Sequence, residues 1–114
     1  MWMVDPRLLC VLHLNGEHRE THSLVGMINK KMSMSGTKYI TTGLVEVHSI
    51  RRRHDDLASE MSRRGYNHKS PLAEFVPWHE GCVNSEKNLI ELRTRCLNCR
   101  KIQEESGIIS NANV

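Results

Sequence analysis

From Asp5 to about Lys31, apolar positions recur at helical spacing. Asp5 suits an N-cap with Pro6 at the first helical position, and Leu8, Leu9, Val11 and Leu12 follow. Gly16 marks a point where this helix is expected to break or bend, with helical character resuming at Glu17. A polar Met-Ser-Met-Ser-Gly-Thr-Lys connection comes next, and the β-branched residues between Lys38 and Val47 suggest a short extended piece, too short for a sheet. Ile50, His54, Leu57 and Met61 then repeat at helical spacing, with Ser49 placed to cap the start and Gly65 to stop the end. Pro71 and Pro77 make residues 70–81 an irregular linker that packs Phe75 and Trp78 onto the helices. A last helix begins near Asn84 or Ser85 and carries Leu89, Leu92, Cys96, Cys99 and Ile102 on one side. The expected fold is all-α: a compact single domain of about three helices with long loops over residues 1–105, followed by a flexible tail at 106–114.

Composition narrows the function classes. A chain of 114 residues is one domain's worth, so an active site must lie on the surface or in a shallow cleft. No apolar run is long enough to cross a bilayer, and no signal-peptide pattern opens the chain, so the expected setting is the cytoplasm. The net charge of +3 is local: between Ile50 and Lys69 lie Arg51, Arg52, Arg53, Arg63, Arg64 and Lys69 against Asp55, Asp56 and Glu60, while the rest of the chain is balanced. Such a segment is either a phosphate-binding face or a solvated helix face laced with internal ion pairs. No glycine-rich phosphate loop is present, which disfavours a P-loop nucleotide hydrolase.

Three polar constellations could carry chemistry. His13, Glu17 and Glu20 lie on one side of a continuous helix, with residues seven apart pointing within about 20° of each other, so a carboxylate beside an imidazole could move protons. Amphipathic helices also display such pairs to solvent without function. His18 and His22 have metal-binding spacing, but Arg19 stands where the zinc-protease pattern requires Glu. His79-x-x-Cys82 and Cys96-x-x-Cys99 could together hold a structural zinc; alternatively, Cys96 and Cys99 are small apolar residues in register with Leu89 and Leu92. A redox dithiol is disfavoured because no βαβ pattern surrounds the cysteines.

Two ungapped blocks resemble the phage-type pyrimidine-dimer DNA glycosylase family, historically called phage endonuclease V. The first, His13-Leu-x-Gly-Glu17-x-Arg19-Glu20, extending to Gly26 and Lys30, resembles the family's catalytic helix, His-Leu-x-Ala-Glu-x-Arg-Glu. The second, Arg51-x-Arg53, Leu57, Glu60, Arg64-Gly65-Tyr66-Asn67 and Lys69, is similar to the family's Arg-x-Arg…Leu…Glu…Arg-Gly-Phe-Asn-x-Lys. The resemblance implies a small helical DNA-repair glycosylase with coupled abasic-site lyase activity. It would act as a monomer on cyclobutane pyrimidine dimers in UV-damaged double-stranded DNA, without a metal or organic cofactor.

The family's nucleophile is the chain-terminal α-amine. Such an amine has a pKa of about 8 against about 10.4 for lysine, so part of it is neutral at cellular pH. Here Trp2 is too bulky for the usual removal of the initiator, and the nucleophile would be the amine of Met1. Glu20, matching the family's catalytic Glu, would stabilise the cationic sugar and assist β-elimination. His13 and Arg19 would grip phosphates or the flipped nucleotide, and Arg51, Arg53 and Arg64 would serve as DNA-backbone contacts or as structural ion pairs. Ser23 stands where the family has a further DNA-contacting Arg, and a cysteine-bearing helix replaces the family's aromatic, basic C-terminal end. The reading from another class is a non-catalytic nucleic-acid-binding module, stabilised by zinc on His79, Cys82, Cys96 and Cys99.

Overall fold

Leucines and valines at the two ends of the longest helix, with polar residues between them, set the architecture. The computed structural model describes residues 1–30, 35–66 and 70–108. Lys31, residues 32–34 of the polar connection, Asn67, Lys69 and the tail at 109–114 lie outside the described residues. The elements are a 3₁₀ turn at Pro6–Leu8, α1 (Val11–Asn29), α2 (Lys38–Thr41), a second 3₁₀ turn at Val47–Ser49, α3 (Ile50–Arg63), α4 (Ser85–Arg95) and α5 (Leu97–Glu105), with no strand among the described residues. The fold is all-α.

Helix α1 packs on α3 through a stripe at helical spacing: Leu14, Glu17, His18, Thr21, Leu24 and Val25 are all buried. Leu14 shares one core cluster with Leu57 of α3, whereas Leu24 and Val25 share another with Ile50 at the start of α3. The two helices therefore run antiparallel. Their midpoint is a buried polar layer of Glu17, His18, Thr21, Arg53 and His54. The first cluster is completed by Val4, Leu8, Leu9, Leu92 and Cys99, and the second by Met1, Ile40, Val45, Val47, Leu72 and Val83, with Phe75 and Trp78 packed against it. The linker thus seats its two aromatics on the helices, as the proline-rich pattern predicts.

Several local readings change. Asp5 caps a separate 3₁₀ turn, accepting from the Arg7 amide at 3.0 Å, and α1 starts only at Val11. Gly16 does not break α1: burial of Leu14 on one side and Leu24 and Val25 on the other outweighs the roughly 1 kcal/mol helix penalty of a single glycine. Residues 38–41 form one helical turn rather than an extended piece. Among the described residues no strand is available to pair with them, and the chain satisfies itself locally through Thr41 N–H to Thr37 O at 2.9 Å. Ser49 precedes α3, but its hydroxyl donates to Glu46 Oε1 at 2.5 Å instead of capping.

Gly65 does stop α3. Its φ of +85° allows the Tyr66 amide to reach Met61 O (2.8 Å) and its own amide to reach Ser62 O (3.0 Å), a Schellman closure. The single C-terminal helix expected from the apolar register is two. Asn84 caps α4 by accepting from the Lys87 amide at 3.0 Å, and Cys96 adopts an extended conformation (φ −127°, ψ 112°) that ends α4 and caps α5. Neither glycine nor proline marks this break. Its consequence is to turn both Cys96 and Cys99 toward the start of α1.

Candidate active site

The chain's own N-terminus forms the polar centre of one cleft. The side chain of Met1 is buried with Leu24, Val25, Ile40 and Val45, which anchors the first residue in the core. Its α-amine lies 2.5 Å from Glu20 Oε1 and donates to the Leu44 carbonyl at 2.8 Å. Glu20 keeps 45% of its side-chain surface exposed, so the carboxylate is accessible from solvent.

Three further ties hold this segment. Asn88 of α4 donates to the carbonyls of Trp2 (3.0 Å) and Met1 (3.5 Å), and Arg53 donates to the Val4 carbonyl at 2.6 Å. Met3, at φ +56°, makes the left-handed turn that brings the first residue back to α1. The cleft, about 200 Å³, is lined by Met1, Trp2, Glu20, Leu44, Asn88, Glu91 and Arg95. An amine held against an open carboxylate supplies a nucleophile and a proton carrier in one place.

The three residues that the helical wheel sets on one side of α1 meet three different partners. Glu20 takes the amine. Glu17, 3% exposed, takes Arg53, 4% exposed, in a two-pronged pair at 2.6 and 2.8 Å. His13 turns its Nδ1 toward Cys10 Sγ (3.1 Å) and Cys99 Sγ (3.5 Å), with its ring edge-on to Trp2.

Arg19 is exposed and lines a larger hollow of about 820 Å³ with Asn15, His18, His22, Met61 and Tyr66. Of the two roles open to Arg53, its geometry is that of a structural ion pair. Arg64 likewise bridges Glu60 (2.6 Å) and the carbonyls of Pro6 (3.2 Å) and Leu9 (2.7 Å). Arg51 donates to the Ala73 carbonyl at 3.0 Å and lies over the Phe75 ring. Bonds from Arg63, joined by Arg64, hold the Glu60 carboxyl below its usual range against the opposing effect of burial.

Among the described residues, two groups of side chains could hold a metal. Cys10, His13, Cys96 and Cys99 bring their ligand atoms within 4.8 Å of one another. Burial pushes the Cys99 thiol up to about 12; at Cys96 burial acts the same way but is outweighed by hydrogen bonds from the Cys99 amide, the Cys99 and Cys10 thiols and the Asn98 amide, which hold that thiol below its usual value. His79 and Cys82, the partners suggested by sequence spacing, take no part: His79 stacks on His48 at 3.8 Å, and Cys82 is exposed. The second group is His18, His22 and His54, with His18 Nε2 3.3 Å from His22 Nε2 and His54 Nδ1 2.9 Å from Asp55.

Sequence reasoning missed Leu44 and Asn88, which act through a carbonyl and through a loop-spanning amide with no motif. It also missed Cys10-x-x-His13, although that pair has the same spacing as the pairs it did consider. Compared with known families, residues 1–74 match pyrimidine dimer DNA glycosylase. No curated protein and no solved structure matches the chain.

Proposed function

The chain belongs to the pyrimidine dimer DNA glycosylase family, and from that premise we propose that it excises pyrimidine dimers and then nicks the strand, with the amine of Met1 as nucleophile and Glu20 as proton carrier. The observation that carries this reading is the contact between the Met1 amine and the Glu20 carboxylate at 2.5 Å, at the wall of an open cleft.

The chemistry balances as follows. The neutral amine attacks C1′ of the damaged nucleotide, forming a C–N bond as the glycosidic bond breaks and its electron pair leaves on the pyrimidine. The proton lost by the nitrogen passes to the departing base. Opening of the C1′–O4′ bond, with protonation of O4′, leaves an iminium between Met1 and the sugar. Removal of a C2′ proton then expels the 3′ phosphate, and water releases the amine. Glu20 is positioned both to take protons from the amine and to stabilise positive charge on the sugar.

The damaged nucleotide must leave the helical stack to meet a buried-rooted amine, so the protein also needs groups that hold a distorted duplex. Arg19, exposed one residue before Glu20, is the strongest candidate for a phosphate contact. In this role His13, Arg53 and Arg64 serve the protein's own architecture, with Arg51 bound to the linker. Incubating the protein with a duplex carrying one thymine dimer tests the proposal. Cleavage at the dimer alone, with Glu20→Gln reduced at least about 100-fold, is the expected result. Cleavage unaffected by Glu20→Gln would remove Glu20 from the mechanism, and no cleavage by folded protein would leave a non-catalytic DNA-binding module.

A further inference from the structure

We propose that Cys10, His13, Cys96 and Cys99 bind one zinc ion, which fastens the C-terminal helices to the start of α1. The four residues form two pairs with the same short spacing, Cys10-x-x-His13 and Cys96-x-x-Cys99, separated by more than eighty residues of chain. Short paired spacing of this kind is how structural zinc sites present their ligands.

The ligand atoms lie close enough together to surround one ion. Zinc–sulfur bonds of ~2.3 Å and zinc–nitrogen bonds of ~2.0–2.1 Å require ligand edges of ~3.8 Å between sulfurs and ~3.6 Å between sulfur and nitrogen. Cys10 Sγ lies 3.9 Å from Cys96 Sγ, and His13 Nδ1 lies 3.5 Å from Cys99 Sγ and 3.1 Å from Cys10 Sγ. The sulfur separation is nearly twice the ~2.05 Å of a disulfide bond.

Backbone amides complete the surroundings. The Cys10 amide points at Cys99 Sγ (3.4 Å) and the Cys99 amide at Cys96 Sγ (3.5 Å), the outer-sphere support that zinc-bound thiolates receive. Cys10 and Cys99 are buried and His13 and Cys96 half-buried, so the set is closed, as structural sites are. Three thiolates and one imidazole select zinc over magnesium, calcium or manganese.

This assignment explains the break between α4 and α5. A continuous helix would need no extended residue at Cys96; the extended conformation instead lets Cys96 and Cys99 share a centre with two residues from the other end of the chain. The family match ends at residue 74, and the cysteine-bearing helices lie beyond it. The metal therefore secures a segment outside the family match, and through Asn88 of α4 it steadies the carbonyls of Met1 and Trp2. His13 becomes a ligand rather than a DNA contact.

Elemental analysis of the full chain, purified without chelator, tests the proposal. The expected result is one equivalent of zinc that is lost in Cys96→Ser but kept in Cys82→Ser and in His22→Ala. Zinc undiminished in Cys96→Ser, or lost instead in His22→Ala, would overturn it. Cobalt(II) exchanged into the unaltered chain provides a readout independent of whether Cys96→Ser folds. Thiolate-to-cobalt charge transfer in the near ultraviolet with strong tetrahedral bands in the visible is expected; weak octahedral bands without charge transfer, or a Cys10–Cys96 disulfide in place of metal, would refute the site.

Discussion

Replacing Arg53 with alanine should destabilise the protein severely while leaving the salt dependence of DNA binding intact. Arg53 is 4% exposed and makes three hydrogen bonds at 2.6–2.8 Å, two to the buried Glu17 carboxylate and one to the Val4 carbonyl. Removing the guanidinium leaves Glu17 charged and unpaired in the middle of the α1–α3 interface. Breaking one side of such a pair costs about 3–5 kcal/mol, a large share of the roughly 5–15 kcal/mol that keeps a domain folded. At about 4–8 °C per kcal/mol, the melting temperature should fall by more than about 10 °C. The double substitution Glu17→Met with Arg53→Met should be milder than Arg53→Ala, because it removes both charges and orphans only the Val4 carbonyl, worth about 1 kcal/mol. Urea denaturation followed by circular dichroism measures the stability, and fluorescence anisotropy of labelled duplex across a salt series measures the binding. A loss below about 1 kcal/mol together with a slope of log K on log salt reduced by about 0.9 would refute the reasoning and make Arg53 a phosphate contact.

Other expectations follow from local geometry. Gly16→Ala should stabilise the protein by about 0.5–1 kcal/mol, since a Cβ there meets nothing within 4 Å and α1 is continuous through it. Gly81→Ala should cost about 3 kcal/mol or more, because φ is +90° and the added carbon would sit 2.1 Å from the Val45 carbonyl oxygen; a urea midpoint lowered in the first variant, or unchanged in the second, would contradict the respective expectation. Glu60→Gln should lower the urea midpoint at pH 7. The folded-state pKa of Glu60 is depressed by its bonds to Arg63 and Arg64, so the stability it contributes is present above the unfolded carboxylate pKa of about 4.3 and is lost as pH falls through the lower folded value. The gap between wild type and variant should therefore close below about pH 4, and a gap constant with pH would contradict the assignment.

Helix α3 was legible because Ile50, Leu57 and Gly65 signal the same thing locally that packing demands globally, an apolar stripe ending in a left-handed residue. The helical character of α1 and the seating of Phe75 and Trp78 were readable for similar reasons. What stayed hidden depends on partners distant in the chain. Arg53 looks like one of a basic run until Glu17, thirty-six residues away, draws it into the interior. The break at Cys96 carries no glycine or proline, and it places Cys96 beside Cys10 from the other end of the chain. His54 reads as one of a helical stripe, yet it closes a trio with His18 and His22 across the α1–α3 interface. The helical wheel puts Glu20 on the side of α1 shared by His13 and Glu17, but it cannot show that Glu17 is buried while Glu20 stays open beside the first nitrogen of the chain.

The most direct test of the proposed chemistry is to trap the covalent intermediate. Protein and a duplex with one thymine dimer are mixed in the presence of borohydride, which reduces an iminium to a stable amine, and the adduct is digested and sequenced by mass spectrometry. The expected product is a single cross-link between the Met1 nitrogen and the sugar, absent with undamaged duplex. An adduct on a lysine, or strand cleavage with no adduct at all, would contradict the assignment of the N-terminal amine as nucleophile.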